Sequence, residues 1–391
     1  MKSFRIIVAA LLLLAMVLPL ASCQTEPLET QTVTQEETET VEQENPGVEQ
    51  SAMPLTEHNI SKIADSIQLI GERTGYNKSG ELAVEWSGSG FEANLIVGEE
   101  GTDIRIGFRN NYAARWKVYV DGKEWGERVS TGNGNKKQIV ARGIPAGEHN
   151  FKFVKDTEPG TSRNNYNNIL SFAFNGEFGE KPADKDLYLE FVGDGYMVGF
   201  GSQPLEVVTG GKKELEETSF TSALPYLTAT AMDADYSVVA HSEIGLSTRA
   251  GSFKLQALYE NKYAYRDLDV AYEPDRTPDA VIIHVGMDDT LSSLTQGKFI
   301  EEMEKFIKQI REHYGKDVPV VMLYNTIYHT VRTGEMKAVV QKMGGEKAGV
   351  YALEMFYGHS GGGTKTVQYP NAEEHQKSTD ILVPFLQDLL K

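Results

Sequence analysis

The sequence predicts an all-β sandwich followed by an α/β domain with a parallel sheet, and two patterns carry that prediction. From about residue 81 to 178, apolar and polar residues alternate in short runs separated by tight turns. After residue 181 the pattern changes to short apolar strands separated by segments with helical spacing. About 335 residues follow residue 55, a length that suits two domains.

The first residues are typical of a secretory leader. Lys2 and Arg5 precede the apolar run 6–18, which is shorter than the about 20 residues that a transmembrane helix needs. Leu20-Ala21-Ser22-Cys23 follows and is similar to the bacterial lipobox, whose cysteine is lipidated and becomes the mature N-terminus. We therefore predict a signal peptide over 1–22, lipidation of Cys23, and a secreted protein anchored by lipid to the bacterial membrane and facing the exterior. An ordinary signal peptide with an accidental cysteine is the alternative.

Residues 23–55 are predicted to form an acidic, disordered tether. Residues 24–55 contain no lysine, arginine or aromatic residue, so they cannot bury enough apolar surface to fold. The net charge of −18 argues against binding nucleic acid or anionic lipid through bulk charge. Cys23 is the single cysteine, which leaves no disulfide or thiolate metal site in the folded part.

The first folded domain is predicted to span residues 56–180. Alternation at every second position is expected of strands with one buried face. The clearest runs are Leu82-Val84-Trp86, Ile104-Ile106-Phe108 and Trp116-Val118-Val120. Asp121-Gly122 predicts a hairpin turn directly after the third run. Whether this sandwich binds glycan or only supports the second domain stays open.

The second domain, residues 181–391, is predicted to alternate strands and helices. The strands are expected at 187–192, 236–240, 280–285 and 318–324, and the helices at 224–232, 294–314 and 371–390. Sites of such sheets lie at the carboxyl ends of the strands. We therefore expect Asp194-Gly195, residues 241–245 and residues 286–289 on neighbouring loops at one edge.

This domain pair, with Phe191-Val192-Gly193-Asp194 opening the second domain, resembles carbohydrate esterase family 2. Members of that family are SGNH/GDSL-type hydrolases that remove acetyl groups from plant polysaccharides. The likeness extends from about residue 74 to the C-terminus, and its segments are 86–91, 118–122, 143–149, 233–240, 244–246, 285–289, 369–371 and 375–377. The resemblance implies a jelly-roll-like sandwich before a three-layer SGNH-hydrolase-like α/β domain.

At every catalytic position that the resemblance implies, this chain has another residue. The serine nucleophile falls on Gly195, which has no hydroxyl. The glycine that donates an oxyanion N–H falls on Glu243, and the asparagine donor falls on Asp288. The family's Asp-x-His-Pro falls on Val367-Gln368-Tyr369-Pro370, so the base becomes Tyr369 and its orienting carboxylate becomes Val367. We therefore expect no catalytic residue at these positions.

Three functions compete. The first is a catalytically inactive, carbohydrate-binding pseudoesterase for a polysaccharide or oligosaccharide, such as an acetylated plant glycan. The second is an active acetyl esterase with relocated residues, for which the candidates are Ser202, Ser242, His241, His284, His329 and His359. The third is a cation-binding or partner-binding structural lipoprotein.

The binding interpretation names a set of ligand residues at the edge of the sheet. Asp194, Glu243 and Asp288 supply carboxylates, and Tyr196, Phe200 and Tyr369 supply aromatic faces for sugar rings. Tyr196 and Phe200 are equally well interpreted as core residues that cover the first helix. The three carboxylates also form a candidate calcium site, since like charges this close must protonate or be neutralised.

Overall fold

The computed structural model describes residue 49 and residues 51–203, 217–247, 253–264, 270–291, 294–327, 332–361 and 369–391. The predicted leader, Cys23 and most of the tether lie outside the described residues, as do His329 and Val367. Residues Asn45–Lys391 form one compact unit. Within the described ranges, no helix is both long and apolar enough to cross a membrane.

Thirteen strands make up the first domain as described. They are β1 Thr56–Asn59, β2 Ile67–Ile70, β3 Gly75–Tyr76, β4 Leu82–Ala83, β5 Gly90–Val97, β6 Thr102–Asn110, β7 Ala114–Val120, β8 Lys123–Glu124, β9 Val129–Thr131, β10 Gly134–Ile144, β11 Gly147–Lys155, β12 Asn167–Phe174 and β13 Gly176–Phe178. One sheet has the order β10-β6-β12-β4-β3, with β1 also on β12. The other has the order β13-β5-β11-β7-β8, with β2 on β5 and β9 on β7.

The sandwich core follows from the alternation seen in the sequence. In β7 the side chains of Ala114, Trp116, Val118 and Val120 are buried, and the three residues between them are half-buried. Successive side chains of a strand point to opposite faces, which explains this alternation. Trp116 stacks on Phe153 with ring centroids 4.9 Å apart. Asp121 (φ 51°) and Gly122 (φ 74°) form the predicted hairpin turn, whose two left-handed residues match the twist of the paired strands.

The second domain has five parallel strands and seven described helices. The strands are β14 Leu187–Gly193, β15 Ala234–Ala240, β16 Ala280–His284, β17 Val320–Tyr324 and β18 Val350–Glu354. The helices are α1 Gly195–Val198, α2 Leu224–Ala231, α3 Leu255–Tyr259, α4 Met287–Leu291, α5 Gln296–Tyr314, α6 Thr333–Lys342 and α7 Ala372–Leu389. The sheet order is β15-β14-β16-β17-β18, which confirms the predicted fold class.

This order brings the predicted loops together. β14 lies between β15 and β16, and Gly193 is in register with both Ala240 and His284. The chain therefore leaves all three strands at one edge of the sheet. The sequence analysis missed β18, which completes the sheet, and α6, which packs on β17 and β18.

The two domains share buried contacts. Trp86 belongs to the core of the second domain, and its Nε1 donates to Lys262 O at 3.0 Å. The predicted strand through Leu82, Val84 and Trp86 accordingly stops at Ala83, because the chain turns to place Trp86 in the other domain.

A buried charge pair joins the sandwich to β14 of the parallel sheet. Arg73, between β2 and β3, lies 3.4 Å from Glu190 of β14, and both side chains are almost fully buried. Glu190 also accepts hydrogen bonds from the hydroxyls of Tyr259 (2.6 Å) and Tyr314 (3.1 Å). The Arg73 guanidinium packs over the Tyr272 ring, 3.5 Å from its centroid.

The end of the predicted tether is ordered against the sandwich. Glu49 N donates to Lys137 O at 2.7 Å, and the Glu49 carboxylate accepts from Ile139 N at 3.0 Å. Ser51 donates to Asp103 at 2.9 Å. The acidic composition predicted disorder here. Glu49 is instead hydrogen-bonded to the backbone of β10, and Ser51 is hydrogen-bonded to a side chain of β6.

Candidate functional site

The site is built around the turn from β14 into α1. Gly193 has no room for a side chain, because a Cβ atom there would lie 2.1 Å from His284 O on the adjacent strand. Asp194 then caps α1 by accepting from Tyr196 N at 3.1 Å. Gly195 is therefore the first residue of the helix at the carboxyl edge of the sheet, the place where the resemblance puts a nucleophile.

Tyr369 occupies the space next to Gly195. A Cβ atom on Gly195 would lie 2.9 Å from Tyr369 Cε1 and 3.1 Å from its hydroxyl oxygen. The Tyr369 ring packs edge-on against Phe200, with centroids 5.0 Å apart, and Tyr369 is 4% exposed. A serine at position 195 would need this ring to move.

The start of α7 fixes Tyr369. Asn371 caps the helix by accepting from Glu374 N at 2.9 Å, and Glu374 accepts from Asn371 N at 3.0 Å. Tyr369 O accepts from Gly361 N at 2.8 Å. Burial raises the pKa of Tyr369 well above its usual value, and the nearby carboxylates add to this, so the hydroxyl stays protonated.

Asp194 belongs to a buried hydrogen-bond chain. His284 Nδ1 lies 2.6 Å from Asp194 Oδ1, and His284 Nε2 lies 2.5 Å from Thr326 Oγ1. Both ring nitrogens are thus occupied, and His284 serves the structure of the strand ends. The second carboxylate oxygen of Asp194 is buried without a hydrogen-bond partner.

Tyr196 is a core residue, which corrects its prediction as a sugar-stacking face. It is 0% exposed, and its ring lies between His284 (4.5 Å between centroids) and His375 (4.9 Å). A ring without exposed surface cannot stack on a ligand in this conformation. Asp194, also 0% exposed, is corrected likewise from a ligand contact to a helix cap.

Glu243 is the exposed member of the predicted set. Its φ of 65° lies in the left-handed region that favours glycine, consistent with the glycine that the resemblance implies at this position. The preceding residue is held by the sandwich, since Glu158 accepts from Ser242 N at 2.7 Å and from Ser242 Oγ at 2.8 Å. No sequence signal pointed to Glu158, because it lies in a loop of the other domain outside any motif.

Asp288 and Asp289 stand side by side in the first turn of α4 but differ in their partners. Asp289 accepts from Leu246 N (2.9 Å), Ser247 N (2.8 Å) and Ser247 Oγ (2.8 Å). Asp288 is 8% exposed, and its Oδ2 has no hydrogen-bond partner. Burial, reinforced by the charges of Asp194, Glu243 and Asp289, raises the pKa of Asp288 to about 8.

The three carboxylates predicted as a calcium site are not grouped as metal ligands in the described part of the chain. Over the residues that the structure describes, no three histidine, cysteine, aspartate or glutamate side chains are grouped so that they could hold a metal ion. Asp194, Glu243 and Asp288 are near enough to affect one another's charge, but they do not converge as ligands.

The described candidates for relocated catalysis have other partners. Ser242 Oγ donates to Glu158, and Ser202 Oγ donates to Ser219 O at 3.2 Å. Both nitrogens of His241 face carbonyl oxygens, those of Ser242 and Pro159. His359 stacks on Tyr357 at 4.9 Å.

His375 lies in α7. It is fully buried, its Nδ1 accepts from Leu224 N at 3.3 Å, and burial lowers its pKa to about 3. This neutral ring packs α7 against α2.

The fold defines a class: an SGNH-type α/β domain joined to an N-terminal β-sandwich, with glycine at the turn where the resemblance puts the nucleophile. The family model "Carbohydrate esterase 2 N-terminal" matches residues 70–182. The acetylxylan esterase / glucomannan deacetylase of Cellvibrio japonicus (strain Ueda107) is 24% identical over 217 residues, which are 51% of this chain. That match spans 58% of the relative, less than two thirds of its length.

Solved structures agree with this assignment of the fold. The family two carbohydrate esterase from Clostridium thermocellum in complex with cellohexaose superposes with a TM-score of 0.72 at 20% identity, over 83% of this chain and 99% of that one. A carbohydrate esterase whose active site "displays divergent catalytic and non-catalytic binding functions" gives a TM-score of 0.65 at 20% identity, over 82% and 97%. The chain is thus related to the acetylxylan esterases of carbohydrate esterase family 2, and the resemblance seen in its sequence is confirmed.

The raised pKa of Asp288 predicts that this residue lowers the stability of the fold as pH rises. Between its ordinary pKa of 3.8 and about 8, the unfolded chain releases a proton that the folded chain keeps, so stability falls as pH rises through this range. Asp288→Asn removes that cost. We expect the variant to match the parent near pH 4 and to exceed it on the order of 3 kcal/mol at pH 8, measured by urea unfolding at pH 4, 6 and 8.

Asp289→Asn is the matched comparison, because it changes the neighbouring residue in the same way. Asp289 accepts three hydrogen bonds, so its amide variant should be less stable than the parent at pH 6 and pH 8. Equal stability of the parent and Asp288→Asn at pH 8 would contradict the prediction.

Proposed function

We propose that this chain is a surface-anchored lipoprotein that binds carbohydrate at a cleft derived from an acetyl esterase and does not hydrolyse esters by the family mechanism. The observation that carries the proposal is the pair Gly195 and Tyr369. The nucleophile position has no hydroxyl, and an aromatic ring fills the space next to it.

The expected loss of catalytic rate is large enough to favour an inactive site over a weakened one. An enzyme that loses a member of its catalytic triad keeps a rate enhancement of only about 10³-fold to 10⁴-fold over the uncatalysed reaction. Here the implied nucleophile, base and amide donor are replaced together by Gly195, Tyr369 and Asp288. Such losses overlap and do not multiply, but without a nucleophile no acyl-enzyme forms at this position.

The alternative, an active esterase with relocated residues, has less support. It needs a serine whose hydroxyl proton passes to a nearby base. Ser242 is bonded to a carboxylate and Ser202 to a carbonyl, and each nitrogen of His241 faces a carbonyl. None of these four contacts pairs a serine hydroxyl with an imidazole.

Carbohydrate binding is supported by relatives and by the exposed part of the site. The Clostridium thermocellum relative was solved with cellohexaose, and another relative's active site combines catalytic and non-catalytic binding. In this chain Glu243 is exposed and Phe200 is partly exposed beside Tyr369. A carboxylate next to an aromatic ring can bond to sugar hydroxyls while the ring packs on the apolar sugar face.

The purified protein should not hydrolyse chromogenic acetate esters or acetylated xylan above a heat-treated control. Gly195→Ser should also fail, because the new side chain meets Tyr369 and neither base nor amide donor returns with it. Acetate release measured for both proteins tests this. A turnover of about 1 per second or more in the unmodified protein would overturn the inactive assignment.

Oligosaccharide binding should depend on Phe200. Stacking of an aromatic ring contributes on the order of 1 kcal/mol, so Phe200→Ala should weaken binding of cello-, xylo- or manno-oligosaccharides by about fivefold. Phe385→Ala is the control, since Phe385 is a partly buried phenylalanine of the same core cluster that packs on Tyr351 of β18. Calorimetry that finds no heat with any oligosaccharide would refute binding, and equal loss in both variants would refute the site.

Lipid anchoring should depend on Cys23. Cys23→Ala should release the protein from membranes or block its processing, because stable anchoring requires more than one acyl chain on the modified cysteine. Membrane fractionation and the mass of the mature N-terminus are the measurements. Normal leader removal together with unchanged membrane retention of Cys23→Ala would show that the anchor lies elsewhere.

A further inference from the structure

A cleft lies between α3 and α5, apart from the turn at Gly195. Its volume is about 440 Å³, within the range of about 300 to 1,000 Å³ that is typical of small-ligand pockets. The start of α3 is bonded to the loop that carries Glu243, since Leu255 N donates to Gly245 O at 3.2 Å. The lining residues that matter for its chemistry are Phe253, Lys254, Gln256, Glu302, Lys305 and Gln309.

The cleft has the apolar and polar groups that a sugar ring needs. Phe253 lines it and is half-buried. On the facing helix, Gln309 Nε2 donates to Gln256 O at 2.8 Å and to the Glu260 carboxylate. Both amide protons are thus used, which leaves Gln309 Oε1 to accept from a ligand hydroxyl. An aromatic ring packs on the apolar face of a sugar while a fixed polar group bonds to its hydroxyls.

The cleft also contains a positive charge that the protein does not neutralise. Glu302 lies 3.0 Å from Lys298 and 3.1 Å from Lys305, and Lys305 lies 2.7 Å from Glu301. These two carboxylates and two lysines balance each other. Lys254 forms no ion pair in the part of the chain that the structure describes.

A second cation lies beside the same aromatic ring. Arg163, on a loop of the sandwich, is exposed, and its Cζ lies over the Phe253 ring at 5.7 Å from the centroid. Across the described ranges, no carboxylate pairs with it. In a chain whose net charge is −18, Lys254 and Arg163 create a local positive potential that favours an anionic ligand.

The cleft is polar along its length. Lys254 precedes α3 and Glu260 follows it, a separation of about 9 Å at 1.5 Å per residue. The positive end therefore lies at Phe253 and Lys254, and the Gln309 amide is bonded to Glu260 at the other end. A ligand with a carboxylate at one end and hydroxyls at the other complements this arrangement.

We propose that this cleft binds an acidic oligosaccharide, with the carboxylate of a uronic acid on Lys254 and a sugar ring against Phe253. It is a second saccharide site, separate from the esterase-derived one. A carboxylate accepts charge-assisted hydrogen bonds from lysine, whereas a neutral sugar leaves the charge of Lys254 unmatched. An acidic peptide fits less well, because both walls are helices whose backbone groups are bonded internally and offer it no main-chain partners.

The test uses two β-1,4-linked glucose oligosaccharides of equal length, one with a hydroxymethyl group and the other with a carboxylate at carbon 6 of each sugar. In calorimetry at pH 7, the full-length protein should bind the carboxylate form, although its net charge of −18 otherwise repels such a ligand. That affinity should fall as salt rises, because salt screens the attraction to Lys254 and Arg163. The affinity for the hydroxymethyl form should not depend on salt.

Variants locate the binding. Lys254→Gln should weaken binding of the carboxylate form by about tenfold, Lys254→Arg should retain most of it, and Phe253→Ala should weaken it by about fivefold. Lys308→Gln is the matched control, since Lys308 is an exposed lysine of α5 that does not line the cleft and has no ion pair among the described residues. It should change nothing. Phe200→Ala, which alters the esterase-derived site, should also leave this affinity unchanged.

The outcomes separate this proposal from the proposed function. If the carboxylate form does not bind, or binds equally well to Lys254→Gln and Phe253→Ala, the cleft is refuted while binding at Phe200 stands or falls by its own variant. If a tetraglutamate peptide binds as tightly as the oligosaccharide, the cleft recognises charge alone and the saccharide assignment is overturned. If the carboxylate form binds as expected and the hydroxymethyl form does not bind, the cleft stands and the esterase-derived site is refuted.

Discussion

The buried pair of Arg73 and Glu190 is the contact on which the positioning of the site depends. Glu190 lies in β14, the strand that delivers Asp194 and Gly195 to the edge of the sheet, and Arg73 comes from the sandwich. Leaving one member of a buried pair without its partner costs about 3 to 5 kcal/mol, so neither residue changes independently. The hydroxyls of Tyr259 and Tyr314 satisfy the remaining carboxylate capacity, which makes burial of the pair tolerable.

The same interface supports two further parts of the site. Asp156 of the sandwich accepts from Arg128 (2.6 Å) and from Thr221 N (2.7 Å), which fixes the segment before α2. Glu158, two residues further on, fixes Ser242 next to Glu243. The sandwich therefore contacts three separate elements that surround the turn at Gly195. Its role as a support for the second domain follows from these contacts, whether or not it also binds a ligand.

The sequence predicted the architecture because its signals are local. Period-two runs and helical spacing located most strands and helices, and the parallel order placed the loops at one edge. Burial at the site was not predictable, since it depends on distant segments: Tyr196 is covered by His375, and Gly195 is covered by Tyr369. Glu158 reaches Ser242 across 84 positions, a contact that neither composition nor spacing indicates. The missed β18 lies at the edge of the sheet, and its residues after Val350 are half-buried or exposed, so it lacks the continuous apolar run that marks β16 and β17.

Gly195 and Tyr369 are best understood as one coupled change. With serine at position 195, the Tyr369 ring would lie 2.9 Å from its Cβ atom, a contact that side chains do not tolerate. With glycine there and no tyrosine, the turn would border a cavity among Phe200 and its neighbours, at the cost that cavities carry. Each residue makes the other favourable, so the pair of Gly195 and Tyr369 is a packed arrangement in its own right.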